Sequence, residues 1–347
     1  MNPSLRAFGC CLAWLALAAP AAAACGLTRV AQMPLVQLGA HFAVMVGIDD
    51  VLRPMIVDTG APFTVLRASF VDSARLTPDP SYENVRPTFG LGQTQSQADV
   101  HPNVMPARLA LGDLVFHDRS TGVATMDFGG ALPENDFVGL IGDDILGRYD
   151  VEFDFPGRML TFYRADGCYE TFVPWTGPYA AIPFDHKRGA IVIDVLFDGE
   201  RTRTLLDTGN NGSFVLRRSM ALWGVSDAGL SVTKARSTSP LNGGTSTPIS
   251  MFMFQTMTIG DETVRAKPMA IVDLDVPLAS ANLGLDYLGS RRIWLSYPNG
   301  WIFIADKGGT TSLAYPVTPA PTAPAAPAQR SAAIEAAKPP QDDAPAP

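Results

Sequence analysis

Short apolar runs separated by turns that contain glycine or proline dominate the chain between residues 35 and 306. Residues 35–48 alternate apolar and polar positions, which is typical of a β-strand with one buried face. Further strands or hairpins are predicted at residues 54–58, 63–66, 107–116, 138–142 and 150–163. Amphipathic patterns of helix length are scarce, apart from a single helical turn predicted at residues 144–149. The pattern therefore predicts an all-β or mostly β fold with barrel-like sheets.

The apolar pattern is duplicated. The first copy is Met55-Ile56-Val57-Asp58-Thr59-Gly60-Ala61, and the second begins 149 residues later as Thr204-Leu205-Leu206-Asp207-Thr208-Gly209-Asn210. Later landmarks recur in the same order and at nearly the same offset: the turn glycines Gly112 and Gly260, the strand-end glycines Gly142 and Gly284, and the alternating pairs Val151/Phe153 and Ile293/Leu295. Ordered repetition of several landmarks indicates two copies of one β unit.

The repeat predicts the organisation of the chain. A change of composition near residue 308 marks a Pro/Ala-rich tail that is too poor in large apolar residues to fold, so we expect it to be disordered. The predicted segments are a signal peptide at 1–24, an N-terminal lobe at 25–165, an inter-lobe linker at 166–176, a C-terminal lobe at 177–307 and the tail at 308–347.

Two observations argue against nucleic acid as a partner. The net charge is −8, and the chain has no basic run with interleaved aromatic residues. Residues 1–24 resemble a secretory leader: Arg6 precedes an apolar core, which ends at Ala22-x-Ala24. We therefore expect an exported protein, either periplasmic or secreted.

Two readings of Cys25, the residue that follows the leader, remain open. It can be the lipidated first residue of a lipoprotein, anchored on the periplasmic side of the outer membrane, although the usual Leu three positions earlier is missing. Alternatively, it can form a disulfide with Cys168 in an oxidising compartment, because Cys10 and Cys11 leave with the leader. The two readings exclude each other.

Each apolar run in the repeat ends on an aspartate, and burying an unpaired carboxylate is costly. Two carboxylates brought face to face can share one proton, which is general acid/base machinery. Two copies of apolar-apolar-Asp-Thr-Gly, each followed by an apolar run ending in glycine, resemble the aspartic proteases of the pepsin/retropepsin clan. The resemblance implies a bilobal acid protease fold made of two homologous retropepsin-like closed-barrel lobes.

The resemblance also implies roles for individual residues. Asp58 and Asp207 would form the catalytic pair, supported by Thr59, Gly60, Thr208 and Gly209. A hairpin containing Phe89, Gly90, Leu91 and Gly92 would be a flap over the substrate, with a counterpart at 240–245. The chain is then expected to be a bacterial aspartic-type endopeptidase that acts on peptides or proteins as a monomer. It needs no metal or cofactor, because the nucleophile is water.

Two alternatives are left open. The same fold can be a catalytically silent module that binds a peptide or protein, and the halves can pair between chains rather than within one. Two departures from the family pattern bear on this choice. Asn210 follows the second motif where Ser, Thr or Ala is usual, but an asparagine amide can still hydrogen-bond a carboxylate, so we expect it to tune the pair rather than to inactivate it. Asn282 interrupts the apolar run before Gly284, which predicts weaker support behind Asp207.

Other polar residues carry no predicted site. The four histidines, His41, His101, His117 and His186, show no metal-ligand spacing and are expected at the surface or in loops. Asp143, Asp144, Glu152 and Asp154 are expected to be solvated charges beside a turn or on the outer face of a strand.

Overall fold

The computed structural model describes residues 26–49, 51–81, 100–127, 137–168, 173, 175, 177–238 and 246–305. In the first half the elements are β1 (Gly26–Pro34), β2 (Val36–Leu38), β3 (His41–Ile48), β4 (Val51–Val57), β5 (Val65–Arg67), α1 (Ala68–Ala74), β6 (Arg108–Leu111), β7 (Leu114–His117), β8 (Gly122–Ala124), β9 (Gly139–Ile141), α2 (Asp143–Leu146), β10 (Asp150–Asp154) and β11 (Met159–Asp166).

In the second half the elements are β12 (Tyr179–Pro183), β13 (Asp185–Lys187), β14 (Ala190–Phe197), β15 (Glu200–Leu206), β16 (Phe214–Leu216), α3 (Arg217–Leu222), a 3-10 helix (Asp227–Gly229), β17 (Ser231–Thr238), β18 (Ser246–Ile259), β19 (Glu262–Val272), β20 (Ala281–Leu283), α4 (Leu285–Leu288), β21 (Arg292–Ser296) and β22 (Trp301–Ala305).

Each half builds one lobe around the same strand pattern. In the first lobe β9 lies between β4, to which it is parallel, and β5, to which it is antiparallel. In the second lobe β20 lies in the same way between β15 and β16. The short strands β5, β9, β16 and β20 are buried along their whole length. A strand buried on both faces has no polar side, which explains why these strands are apolar except at Arg67 of β5 and Asn282 of β20.

A third sheet joins the lobes and contains three strands from each half, in the order β1-β11-β10-β21-β22-β12. The two halves meet where β10 pairs antiparallel with β21, with Asp150 opposite Ser296 and Glu152 opposite Trp294. The largest cluster of buried apolar side chains includes residues of both lobes, from Ala31 to Ile304. The lobes therefore share one core, and the predicted mostly β, bilobal fold class is confirmed.

The prediction of solvated charges is wrong for Glu152. Its side chain is buried in the joining sheet, where Trp175 Nε1 donates to it at 2.8 Å, Arg292 Nε at 2.6 Å and the Tyr163 hydroxyl at 3.0 Å. An aromatic cluster that includes Trp175 and Trp294 covers the strand face that alternation assigned to solvent. Asp154 is half-buried beside Arg292.

Several predicted segments lie outside the described residues: the signal peptide at 1–24, the tail at 308–347 and much of the linker at 166–176. The described part of the chain contains no helix that is long and apolar enough to cross a membrane. The predicted turn at residues 112–113 joins β6 to β7, with Gly112 at φ 58°, a left-handed conformation that favours glycine.

Candidate active site

Asp58 and Asp207 follow the equivalent strands β4 and β15. The N–H of Asp58 donates to the carbonyl of Ile141, and the N–H of Asp207 donates to the carbonyl of Leu283, both at 3.0 Å. These carbonyls belong to β9 and β20, so the central strand of each lobe fixes the backbone of its own aspartate. Each aspartate is only 1% exposed. The fold therefore holds two rigid, buried carboxyl groups.

A tight turn after each aspartate brings a backbone donor to its carboxylate. Gly60 N–H donates to Asp58 Oδ1 at 2.8 Å, and Gly209 N–H donates to Asp207 Oδ1 at 2.9 Å. A Cβ atom on Gly60 would lie 2.7 Å from Asp207 Cγ, and one on Gly209 would collide with the carboxylate of Asp58. Each glycine thus leaves the space that the aspartate of the opposite lobe occupies.

The threonines of the two turns tie the lobes together. Thr59 N–H donates to Thr208 Oγ1 at 3.1 Å, and Thr208 N–H donates to Thr59 Oγ1 at 3.0 Å. The hydroxyl of Thr59 donates to the carbonyl of Leu206 at 2.8 Å, and that of Thr208 donates to the carbonyl of Val57 at 2.7 Å. All of these bonds are buried and cross from one lobe to the other, so they fix the distance between the turns.

The carboxyl groups of Asp58 and Asp207 are hydrogen-bonded to each other. Burial and the neighbouring charge of Asp58 raise the pKa of Asp207 well above its ordinary value, while the donors on Asn282 and Gly209 oppose the rise. The pair therefore retains one proton at pH values at which an exposed aspartate has lost it. One carboxyl group can act as an acid while the other acts as a base.

Asn282 occupies the strand position where an apolar residue was expected. Its Nδ2 donates to Asp207 Oδ2 at 3.0 Å, and its Oδ1 accepts a hydrogen bond from Asn210 Nδ2 at 2.9 Å. The prediction of weaker support behind Asp207 is therefore wrong, because the amide binds the carboxylate directly. Asn210 reaches Asp207 through Asn282. The sequence predicted that Asn210 can hydrogen-bond a carboxylate, but not that Asn282 would stand between Asn210 and Asp207, although the departure of Asn282 from the apolar pattern was the signal.

A second layer of polar contacts supports the turn of the first lobe. Asp144 Oδ1 accepts hydrogen bonds from the N–H and the hydroxyl of Thr64, at 2.6 and 2.7 Å. The hydroxyl of Thr64 accepts the N–H of Gly142 at 3.2 Å, and Arg119 pairs with Asp144 Oδ2 at 2.6 Å. Asp144 is therefore a structural carboxylate, and its assignment as a solvated charge is wrong.

The second lobe repeats this layer. Asp286 Oδ1 accepts hydrogen bonds from the N–H and the hydroxyl of Ser213, at 2.8 and 2.5 Å. The hydroxyl of Ser213 accepts the N–H of Gly284 at 3.0 Å, and Lys267 lies 3.5 Å from Asp286 Oδ2. The signal for both carboxylates was present in the repeat, because Asp144 and Asp286 each stand two residues after the matched glycine.

Two histidines lie close to the site. His41 is buried in β3, contrary to the prediction of a surface or loop position, and its side chain hydrogen-bonds to the backbone of Gly209. Burial lowers the pKa of His41 to about 4, partly opposed by that hydrogen bond. His186 in β13 pairs with Asp143 Oδ1 at 2.7 Å, which raises the pKa of His186 and links the two lobes.

The predicted flap residues Phe89, Gly90, Leu91 and Gly92 lie outside the described residues, as does the counterpart at 240–245. Within the described ranges, no group of three or more His, Cys, Asp or Glu side chains is arranged to hold a metal ion. The structure thus brings together Asp58, Asp207, Thr59, Thr208, Gly60 and Gly209 from the predicted site.

Comparison with known proteins bears on the fold. No family model matches the sequence, and no curated protein matches it. Among solved structures, an aspartic proteinase from Irpex lacteus is 14% identical with a TM-score of 0.50, and the match covers 84% of this chain and 99% of that one. The fold is that of a bilobal aspartic protease.

A retropepsin-like aspartic protease from Rickettsia conorii is also similar, at 13% identity and a TM-score of 0.30, over 38% of this chain and 96% of that one. In the bilobal aspartic protease fold described here, Asp58 and Asp207 occupy equivalent positions in the two lobes. In this structure both aspartates come from one chain.

Proposed function

We propose that the protein is an aspartic endopeptidase that hydrolyses peptide bonds with water activated by Asp58 and Asp207. The observation that carries the proposal is the shared hydrogen bond of two buried carboxyl groups, one from each lobe. A structural ion pair would place a cation between them, whereas here two acids face each other. Such a pair has the protonation states that acid/base catalysis by one proton donor and one acceptor requires.

In the proposed reaction a water molecule binds between the two carboxyl groups. The ionised carboxylate takes a proton from the water as its oxygen attacks the carbonyl carbon of the peptide. The protonated carboxyl group gives its proton to the carbonyl oxygen, and a neutral gem-diol forms. The carboxyl group that took the water proton then gives it to the peptide nitrogen, while the other carboxylate takes a proton from a gem-diol hydroxyl. The C–N bond breaks, an amine and a carboxylic acid are released, and the pair again holds one proton. The raised pKa of Asp207 favours activity at acidic pH.

The proposed substrate is an extended segment of a peptide or protein. Strand edges on either side of a cleft bind such a segment through its backbone, and apolar pockets select alternate side chains. The enzyme is expected to act as a monomer, because both carboxyl groups and the joining β10–β21 pairing belong to one chain.

We also propose that the protein is exported and that Cys25 pairs with Cys168 rather than carrying a lipid. Cys168 is disulfide-bonded, and the other cysteines of the sequence are Cys10, Cys11 and Cys25. Gly26, the residue after Cys25, pairs with Asp166 in the β1–β11 ladder, close to Cys168. A stable disulfide supports an oxidising compartment.

The test is cleavage of a diverse peptide pool by the mature protein between acidic and neutral pH, read by mass spectrometry. Asp58→Asn and Asp207→Asn should each abolish cleavage. Asp113→Asn, an exposed change in the β6–β7 turn, is the matched control and should cleave like the wild type. Cleavage that survives in either dyad variant contradicts the mechanism. Absence of cleavage together with measurable peptide binding favours the silent binding module.

A further inference from the structure

The central strands β9 and β20 place different side chains behind the two aspartates. In the first lobe Leu140 of β9 stands opposite Ile56, and in the second lobe Asn282 of β20 stands opposite Leu205. Ile56 and Leu205 are equivalent in the repeat, so Leu140 and Asn282 are equivalent as well. Leu140 has no hydrogen-bond donor on its side chain, whereas Asn282 donates to Asp207. The lobes are therefore chemically unequal at the pair.

The direction of hydrogen bonding at Asn282 is fixed by the backbone. Gly212 N–H, which can only donate, lies 3.2 Å from Asn210 Oδ1. The amide nitrogen of Asn210 must then face Asn282, where it meets Oδ1 at 2.9 Å. This leaves Asn282 Nδ2 directed at Asp207 Oδ2, at 3.0 Å. The relay from Gly212 through Asn210 and Asn282 thus delivers an N–H donor to Asp207.

Both amides of the relay are fully buried, each at 0% exposure. Burying a polar side chain is unfavourable unless its hydrogen bonds are made. An apolar residue at position 282, like the equivalent Leu140 of the first lobe, would need no hydrogen-bond partner. Asp207 now accepts N–H donors on both oxygens, from Gly209 on Oδ1 and from Asn282 on Oδ2. Donors of this kind favour the ionised form of a carboxyl group.

We propose that Asn282, oriented by Asn210, is a positioning residue that stabilises the ionised form of Asp207, against the burial and the neighbouring carboxyl group of Asp58 that favour its protonated form. The inference rests on the proposed function: Asn282 then controls how readily Asp207 releases the proton that the pair shares. Asn282 acts through Asp207 and is not itself a catalytic residue.

Other titratable groups surround the pair and belong in the design of the test. Tyr297, whose pKa is raised well above its ordinary value by burial, Asp143 and Asp58, lies near Asp58. His41 bonds to the backbone of Gly209 on the other side. Tyr297, Asp143 and His41 are unchanged in every variant proposed here. A difference in pKa between variants with and without Asn282 therefore reports the effect of its amide.

The first experiment compares the pH dependence of kcat/KM for the wild type and Asn282→Leu, which copies the residue of the first lobe. Loss of one donor to the carboxylate should raise the acid-limb pKa of the profile by about one unit and lower kcat more than it changes KM. The control Asn103→Leu removes another buried amide, bonded to Ser120, and should leave the profile unchanged.

The second experiment does not depend on cleavage. The pH dependence of unfolding by urea gives the folded-state pKa of the remaining aspartate in Asp58→Asn and in Asp207→Asn proteins. Adding Asn282→Leu should raise the pKa of Asp207 by about one unit in the first background and leave that of Asp58 unchanged in the second. Equal shifts in both backgrounds, or no shift in either, overturn the inference.

Folding failure and functional failure remain distinguishable in this design. If Asn282→Leu does not fold, Asn282→Ser replaces it, because serine is polar but too short to reach Asp207, and the same shifts are expected. A wild type that cleaves no peptide contradicts the proposed function, whereas the unfolding measurements still decide whether Asn282 stabilises the ionised form of Asp207.

Discussion

Thr59 and Thr208 hold each other through reciprocal hydrogen bonds, each backbone N–H donating to the hydroxyl of the other residue at 3.1 and 3.0 Å. Each hydroxyl also donates to a backbone carbonyl of the opposite lobe: that of Thr59 to Leu206, and that of Thr208 to Val57. The position of either aspartate therefore depends on both lobes, because the residue that follows each one is anchored across the boundary.

Replacing Thr208 by Val should weaken both the fold and the site. Valine has nearly the same shape but leaves the Thr59 N–H and the Val57 carbonyl unsatisfied in a buried place, which costs roughly 2–4 kcal/mol of unfolding free energy. Urea unfolding measures the loss. Thr208→Ser retains the hydroxyl and should lose much less. Equal losses in the two variants would show that the methyl group, not the hydrogen bonds, stabilises the boundary.

Gly209→Ala should abolish cleavage in a protein that still folds. The added methyl group would collide with the carboxylate of Asp58 and push it away from Asp207. We expect a loss of at least about 100-fold in kcat, in the range that misplacement of a catalytic group produces. Gly229→Ala, where the methyl group meets Val225 at an ordinary 3.4 Å, is the control and should retain activity.

His41 should make the folded state less stable in acid. Its folded-state pKa of about 4 lies below the ordinary value of 6.5, so the unfolded chain binds a proton that the folded chain lacks between these values. Its contribution is complete above pH 6.5 and is lost as the pH falls towards 4, by roughly 3 kcal/mol. His41→Gln should remove this slope, as measured by urea unfolding at several pH values.

Asp150 should make the folded state less stable as the pH rises, the opposite of the effect of His41. Its carboxylate is fully buried where β10 meets β21, and burial raises its pKa to about 6, partly offset by Ser296 and Trp294. Between its ordinary value of 3.8 and 6 the folded chain holds the extra proton, so stability falls as the pH rises through this window. Asp150→Asn should gain roughly 3 kcal/mol relative to wild type above pH 6.

These two windows overlap and their slopes have opposite signs, so His41 and Asp150 should partly cancel in the wild-type profile between pH 4 and 6. The single variants should therefore slope in opposite directions, with Asp150→Asn losing stability in acid and His41→Gln losing it as the pH rises. Parallel slopes would contradict the assignment of either residue.

The mature protein should contain no free thiol and no lipid. A Cys25–Cys168 disulfide leaves nothing for a thiol reagent until a reductant is added, and two sites per chain should then react under denaturing conditions. Intact mass gives the second measurement, because an acylated Cys25 would add the mass of a lipid. Cys168→Ser should expose one free thiol, whereas a lipidated protein would show none in that variant.

The sequence alone determined the mostly β fold and the equivalent positions of Asp58 and Asp207 in the two halves. Strand periodicity and turn residues are local signals, and a duplicated Asp-Thr-Gly motif places its two copies at equivalent positions whatever the details of packing. The predictions that failed concern contacts between segments that are distant in the sequence. Alternation along β10 gives the face on which Glu152 lies, but not that Trp175 and Arg292 cover that face.

Only the tertiary structure decided what the polar residues near the pair do. In the sequence Asn282 only interrupts an apolar strand. In the structure β20 pairs with β15, and the amide of Asn282 donates to Asp207. The sequence predicts a surface or loop position for His41, whereas in the structure its side chain hydrogen-bonds to the backbone of Gly209 in the second lobe. Hydrogen bonds need partners within about 3 Å, and the strand order that supplies those partners is set by the packing of the whole core.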